Sequence, residues 1–124
     1  MLKFLDVSYN QLSTLSEALG MAHSLVELRV AGNQLRELPA SICDLQNLEI
    51  FDGKRNRFSS LPIEFGCLTK LLKLDLEENQ LTKVDNFYQN LQTLTHLNLA
   101  KNKIAFVEED ALGPLKNLVE LDLH

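Results

Sequence analysis

Few side chains in this sequence are of the kind that carries chemistry, and their spacing builds no catalyst. The histidines are His23, His96 and His124. His96, His124 and the nearby Asp122 could be imagined around a surface metal ion, but the tight ligand spacing of such sites is missing. Ordinary exposed histidines are expected instead, with no metal and no cofactor. Cys43 and Cys67 form neither a CxxC nor a Cys/His pattern, and a reduced, half-buried pair is expected of a cytosolic chain. No G-x-S-x-G, P-loop or H-E-x-x-H motif occurs, so an enzyme is not expected. What recurs is polar and periodic: Asn10, Asn33, Asn56, Asn79 and Asn102 follow at 23-residue intervals.

The elements that must position these residues share that interval. Leu2, Leu25, Leu48, Leu71, Leu94 and Leu118 each open one motif, spaced 23 apart and finally 24. The motif is L-x-x-L-x-L-x-x-N-x-L-x-x-L, as in LKFLDVSYNQLSTL, LVELRVAGNQLREL and LTHLNLAKNKIAFV. A sixth copy stops at LVELDLH, before its asparagine. The L-x-L triplet alternates with period two, as a short strand burying one face does. Its inward pairs are Leu5/Val7, Leu28/Val30, Phe51/Gly53, Leu74/Leu76, Leu97/Leu99 and Leu121/Leu123. An asparagine is both donor and acceptor, so a stacked ladder of them can satisfy turn backbone that the stack buries.

After the turn, Leu12, Leu35, Phe58, Leu81 and Ile104 return inward, followed by Leu15, Leu38, Leu61, Val84 and Val107. About ten residues remain for the outer segment, too few for a long helix, so irregular chain or a single helical turn is expected. Two apolar columns line it: Leu19, Ile42, Phe65, Tyr88, Leu112 and Ala22, Leu45, Leu68, Leu91, Leu115. Pro39 and Pro62 stiffen its entry. One coil cannot bury its own apolar edge, whereas stacked coils share a core. Gly53 sits where the other repeats have Val or Leu, a loss worth ~2–5 kcal/mol if unfilled. Phe51, Phe58 and Phe65 in the same repeat are expected to refill the space. The acidic run Glu108–Glu109–Asp110 marks the one-residue insertion and reads as a solvated loop.

These motifs resemble the leucine-rich repeat family over all 124 residues. LPASICDLQNL and LPIEFGCLTKL are similar to the 23-residue form of intracellular scaffold and Ras-pathway members, and VEEDALGPLKNL to the 24-residue form of extracellular receptors. The resemblance implies an α/β solenoid, a horseshoe arc with short parallel strands on its concave face and irregular or short helical segments on its convex side. It implies a protein partner, a small GTPase or another signalling protein, held on the concave face. Two function classes follow: a scaffold or binding module in its own right, or the recognition segment of a larger kinase, GTPase or receptor.

On that face the outward columns read Phe4, Glu27, Ile50, Lys73, His96, Glu120 and Asp6, Arg29, Asp52, Asp75, Asn98, Asp122. Beyond the strands come Ser8, Ala31, Lys54, Glu77, Ala100, His124 and Tyr9, Gly32, Arg55, Glu78, Lys101. Six strands make a strip on the order of 24 Å. Lys54 beside Glu77, and Arg55 beside Glu78 and Lys101, read as self-compensated surface pairs. Asp52 and Asp75 read as an uncompensated like-charge pair, beside the outward Ile50 and Lys73. Phe4 and Ile50 are candidate anchors, and Tyr9 is either an anchor or a cover for the open edge. The expected partner face is thus Phe4, Asp6, Arg29, Ile50, Asp52, Lys54, Arg55, Lys73, Asp75, Glu77, His96 and Asn98.

Bulk properties narrow the partners. A net charge of −5 argues against nucleic acid, which calls for a clustered basic surface. No apolar run approaches the ~20 residues of a membrane-spanning helix. MLKFLDVSYN has none of the features of a secretory leader. A cytoplasmic protein is expected, or an extracellular one if a leader and Cys-rich caps lie outside this stretch. Neither end carries a polar cap, so the chain reads as a fragment of a longer array.

Overall fold

Each repeat forms a short strand that starts one residue before the L-x-L triplet and takes in the triplet's first two residues. The computed structural model describes residues 1–118 and 120–124. Its strands are β1 (Phe4–Asp6), β2 (Glu27–Arg29), β3 (Ile50–Asp52), β4 (Lys73–Asp75), β5 (Lys83–Val84), β6 (His96–Asn98), β7 (Phe106–Val107) and β8 (Glu120–Asp122). The main sheet is parallel and runs β1-β2-β3-β4-β6-β8. Its register steps by one repeat, pairing Leu5 with Leu28, Leu28 with Phe51, Phe51 with Leu74, and Leu74 with Leu97. β5 and β7 form a second parallel pair, Val84 beside Val107.

The first four outer segments each hold one short 3-10 helix, Glu17–Met21, Ala40–Asp44, Ile63–Cys67 and Asn86–Asn90, and the fifth is turns and bends. The tight helix fits because ten residues must cross the layer and return. Pro39 (φ −66°) and Pro62 (φ −65°) hold extended backbone immediately before two of these turns. Leucines of the strand and turn columns meet the outer columns in one core, with Leu28, Leu35, Ile42, Leu45, Leu48, Phe51, Phe65, Leu71, Leu91 and Leu94 buried. Gly53 is filled as its neighbours suggest. A Cβ there would lie 2.7 Å from Phe51 Cε1 and 3.2 Å from Phe58 Cε2. The third near atom belongs to Leu76; Phe65 instead packs edge-on against Phe51, centroids 5.5 Å apart.

The inward columns hold along the array but open at its last members. Val107, Leu121 and Leu123, expected inward, are 43%, 43% and 40% exposed, because no further coil lies over them in this chain. In the other direction, Ala31 and Ala100 of the outward columns are buried.

Four of the five turn asparagines latch to the preceding repeat. Asn56 Nδ2 donates to Val30 O (2.9 Å) and Gly53 O (3.1 Å), and its Oδ1 accepts from Leu35 N (3.1 Å). Asn79 repeats the set on Gly53 O, Leu76 O and Phe58 N, Asn33 on Val7 O, Val30 O and Leu12 N, and Asn102 on Leu76 O, Leu99 O and Leu81 N. Asn10 is exposed and reaches Val7 O and Ser8 O, both in its own repeat. A second polar ladder stands at the entry to the strands. Asn47 Nδ2 donates to His23 O (3.0 Å), Thr93 Oγ1 to Thr69 O (2.9 Å) and Asn117 Nδ2 to Gln92 O (3.2 Å).

Candidate functional site

The strands end at one column, and that column has a structural task first. Oδ1 of Asp6, Asp52, Asp75, Asn98 and Asp122 accepts from the amide two residues on, at 2.9–3.3 Å. This turn lets the chain leave the sheet with its next N–H satisfied. In the second repeat Arg29 occupies the position and cannot accept; the Ala31 amide bonds Ser8 Oγ of the preceding repeat instead (3.1 Å). Asp6, Asp52 and Asp75, expected on the partner face, carry this turn role as well. The signal that they were turn acceptors was visible: five of six are Asp or Asn.

Three residues past each of the first five strands of the main sheet the backbone is left-handed, at Tyr9 (φ 55°), Gly32 (65°), Arg55 (56°), Glu78 (56°) and Lys101 (56°), and Asp110 (63°) in the outer loop of the fifth repeat shares this conformation. Glycine in the second repeat also makes room. A Cβ on Gly32 would lie 2.3 Å from Tyr9 Cδ1, so the exposed Tyr9 ring rests on the Gly32 backbone.

The charges on the concave face sort themselves differently from the expectation. Asp52 is buried, and its carboxylate meets Arg29 Nη1 at 3.3 Å and Lys54 Nζ at 3.8 Å. The expected uncompensated Asp52–Asp75 pair is therefore corrected at Asp52, because Arg29 stands beside it in register. Lys54 is corrected as well: it turns to Asp52, and no Lys54–Glu77 ion pair forms. Arg29 also contacts Glu27, which raises its already high pKa. Arg55 and Lys101 both pair with Glu78, at 3.6 Å each. His96 Nε2 lies 3.7 Å from Glu120, and its Nδ1 is 2.8 Å from Thr95 Oγ1.

The fourth repeat is left over. Among the described residues Lys73, Asp75 and Glu77 have no ion-pair partner. Asp75 is half-buried, and loss of solvent pushes its carboxyl above the ordinary 3.8, with the Asp52 charge adding to the effect. The backbone bond from Glu77 and the charge of Lys54 oppose that rise. Asp6, fully exposed, moves the other way because Ser8 hydrogen-bonds its carboxylate. Arg29, Ile50, Asp52, Lys54, Lys73, Asp75, His96 and Asn98 line one continuous concavity. Phe4 and Asp6 sit apart from it on the edge strand, and Arg55 and Glu77 lie beyond the strand ends. Ile50 forms part of the floor, half-exposed, between Glu27 and Lys73.

Across the convex side, Cys43 and Cys67 are joined as a disulfide, with Cα atoms 5.2 Å apart. This corrects the expected reduced pair. The residues are not equivalent in the repeat, being 24 apart, yet the stacked 3-10 turns bring their Cα atoms within bridging range.

Parallel single strands, asparagine turns and 3-10 returns together define a leucine-rich repeat solenoid. The chain matches the leucine-rich repeat region model over residues 1–124 and belongs to the leucine-rich repeat family. A solved leucine-rich repeat protein of Leptospira interrogans superposes with a TM-score of 0.95 at 31% identity, over 99% of this chain and 31% of that one. Leucine-rich repeat-containing G-protein coupled receptor 5 of Rattus norvegicus is 36% identical over 92% of this chain, which spans 13% of the receptor. The probable serine/threonine-protein kinase pats1 of Dictyostelium discoideum is 34% identical over 98% of this chain, which spans 4% of the kinase. The chain thus corresponds to a small part of either relative.

Proposed function

We propose that this chain is a protein-binding module whose concave sheet receives a protein partner, centred on Ile50, Lys73 and Asp75. The observation that supports this is the fourth repeat. Among the described residues its Lys73, Asp75 and Glu77 have no ion-pair partner, whereas the Arg29–Asp52–Lys54 and Arg55–Glu78–Lys101 groups are satisfied within the molecule. A half-buried carboxylate without a cation is costly to keep charged. A partner cation at Asp75 and Glu77, an acid at Lys73 and an apolar side chain on Ile50 would complete the surface. A signalling protein is the class of partner we favour.

The test compares capture by the wild type with capture by Lys73→Glu/Asp75→Asn, after circular dichroism confirms that both are folded. Asparagine keeps the Oδ1 acceptor that the turn needs, as Asn98 does. The reading expects affinity for the captured partner to fall by about tenfold or more. Full affinity in the folded variant puts binding elsewhere.

A second reading is the recognition segment of a larger signalling protein. It is supported by the small share of a receptor and of a kinase that this chain spans. The longer coding sequence decides between the two. The Cys43–Cys67 bond favours an oxidising, extracellular setting over the cytoplasmic one.

A further inference from the structure

From each asparagine turn the chain climbs to the outer segment along a narrow flank, and the outward residues there differ from those of the sheet. One column reads Gln11, Gln34, Arg57, Gln80, Lys103. Backbone bonds hold it in line: Gln34 N to Leu12 O (2.8 Å), Arg57 N to Leu35 O (2.8 Å), Gln80 N to Phe58 O (2.9 Å) and Lys103 N to Leu81 O (2.9 Å). Arg36 follows two residues after Gln34. Arg36, Arg57 and Lys103 are exposed, and among the described residues none has an ion-pair partner. Where the flank meets the sheet, Arg55 and Lys101 share one carboxylate, Glu78. Glu37 also lies on this strip, and Lys83, in the same repeat column as Glu37, pairs with Asp85 and Glu108. Six cations thus face four carboxylates on a chain whose net charge is −5.

A positive strip on a negative molecule is selective in what it attracts. A polyanion as large as a duplex or a charged membrane covers more of the surface, so parts of it also come within the screening length, ~10 Å at moderate salt, of the molecule's acidic faces. A short acidic segment would feel mainly the strip. The interleaved Gln34 and Gln80 offer amides that can pair with peptide backbone. Among the described residues, exposed aromatic surface beside this column is limited to Phe106 and, at the other end, Tyr9 lying on Gly32, too little to stack a run of bases. We infer that this flank binds an acidic, extended polypeptide segment laid across the second to fifth repeats. It is separate from the concave site and rests on different residues.

The test uses fluorescence anisotropy of a labelled oligoglutamate of about ten residues, at low salt where exposed charges are least screened. Oligoglutamine and single-stranded RNA of equal length serve as controls. The intact chain is expected to bind oligoglutamate and not oligoglutamine. Arg57→Glu/Lys103→Glu, both exposed positions, should weaken that binding by about tenfold or more with an unchanged melting curve. The concave variant Lys73→Glu should bind as the wild type does. Absence of oligoglutamate binding, full binding by the folded double variant, or tighter binding of RNA would each overturn the inference.

Discussion

Asp75 lies in register with Asp52 on the adjacent strand, and of the two only Asp52 has cations within ion-pair reach. Both carboxylates accept the amide two residues on, so the turn is common to them and the charge environment is not. Arg29 makes the difference: the residue that breaks the turn column in the second repeat neutralises the third.

The Asp75 carboxyl titrates above its ordinary 3.8 in the fold. The folded state therefore binds its proton more readily than the unfolded chain does, and stability falls as pH rises from the ordinary value through the raised one. Asp75→Asn should keep the turn and remove that loss. It is expected to raise stability at neutral pH by about 0.2–1 kcal/mol, the scale of a relieved like-charge contact between strands. The increment should shrink as pH falls below the raised value toward and past the ordinary one. Urea titrations across that window measure it; an Asp75→Asn chain less stable at neutral pH would contradict the account.

Asp52→Ala should behave oppositely. It leaves Arg29 and Lys54 without their shared carboxylate and the Lys54 amide without its acceptor. A cost of about 1–3 kcal/mol is expected by chemical denaturation. Asp52→Asn, which restores the acceptor alone, should recover part of it.

Asn56 and Asn10 make a paired test of the ladder. Asn56→Ala strips a buried amide from Val30 O, Gly53 O and Leu35 N, and should cost about 3 kcal/mol. Asn10, exposed and bonded within its own repeat, should cost about 0.5–1 kcal/mol. Equal losses would show that the bridging between repeats is not what matters.

Gly53→Ala should cost about 1–3 kcal/mol through crowding against Phe51. Adding Phe51→Leu withdraws the ring that crowds the new methyl and should recover at least half of the loss. A double-mutant cycle that came out additive would detach the two residues.

These cases show how much could be read before the fold was seen. Periodicity reveals what packs, because burial selects side chains by hydrophobicity, so the sheet, its register and the Phe51/Gly53 compensation were legible. Partner choice among charges was not. Lys54 could reach Glu77 or Asp52, and only side-chain placement separates the two. The Cys43–Cys67 bond was not legible because a cytosolic setting implies reduced thiols, and the one-residue offset that the 3-10 turn absorbs hides how near the two lie. The turn role of the Asp/Asn column was written in residue types, but an outward aspartate reads equally well as a ligand group until its neighbour's amide is located.

Reducing the Cys43–Cys67 bond closes the set. The bridge spans 24 residues of sequence, and its loss should lower stability by about 2–4 kcal/mol. Alkylation of the intact chain, read by mass spectrometry with and without reductant, shows whether the pair is joined as isolated; two labels without reductant would refute the bond.

The asparagine ladder also has a mechanical meaning. A pull along the array axis loads each junction between coils in series, and each junction holds by the same side-chain latch plus a few backbone bonds. Such a chain behaves as a spring of near-identical links and yields first at its weakest one. The covalent bridge between the second and third outer turns removes one junction from that contest. Stretching would therefore peel coils from the two ends and leave the Cys43–Cys67 pair of coils as the last intact segment.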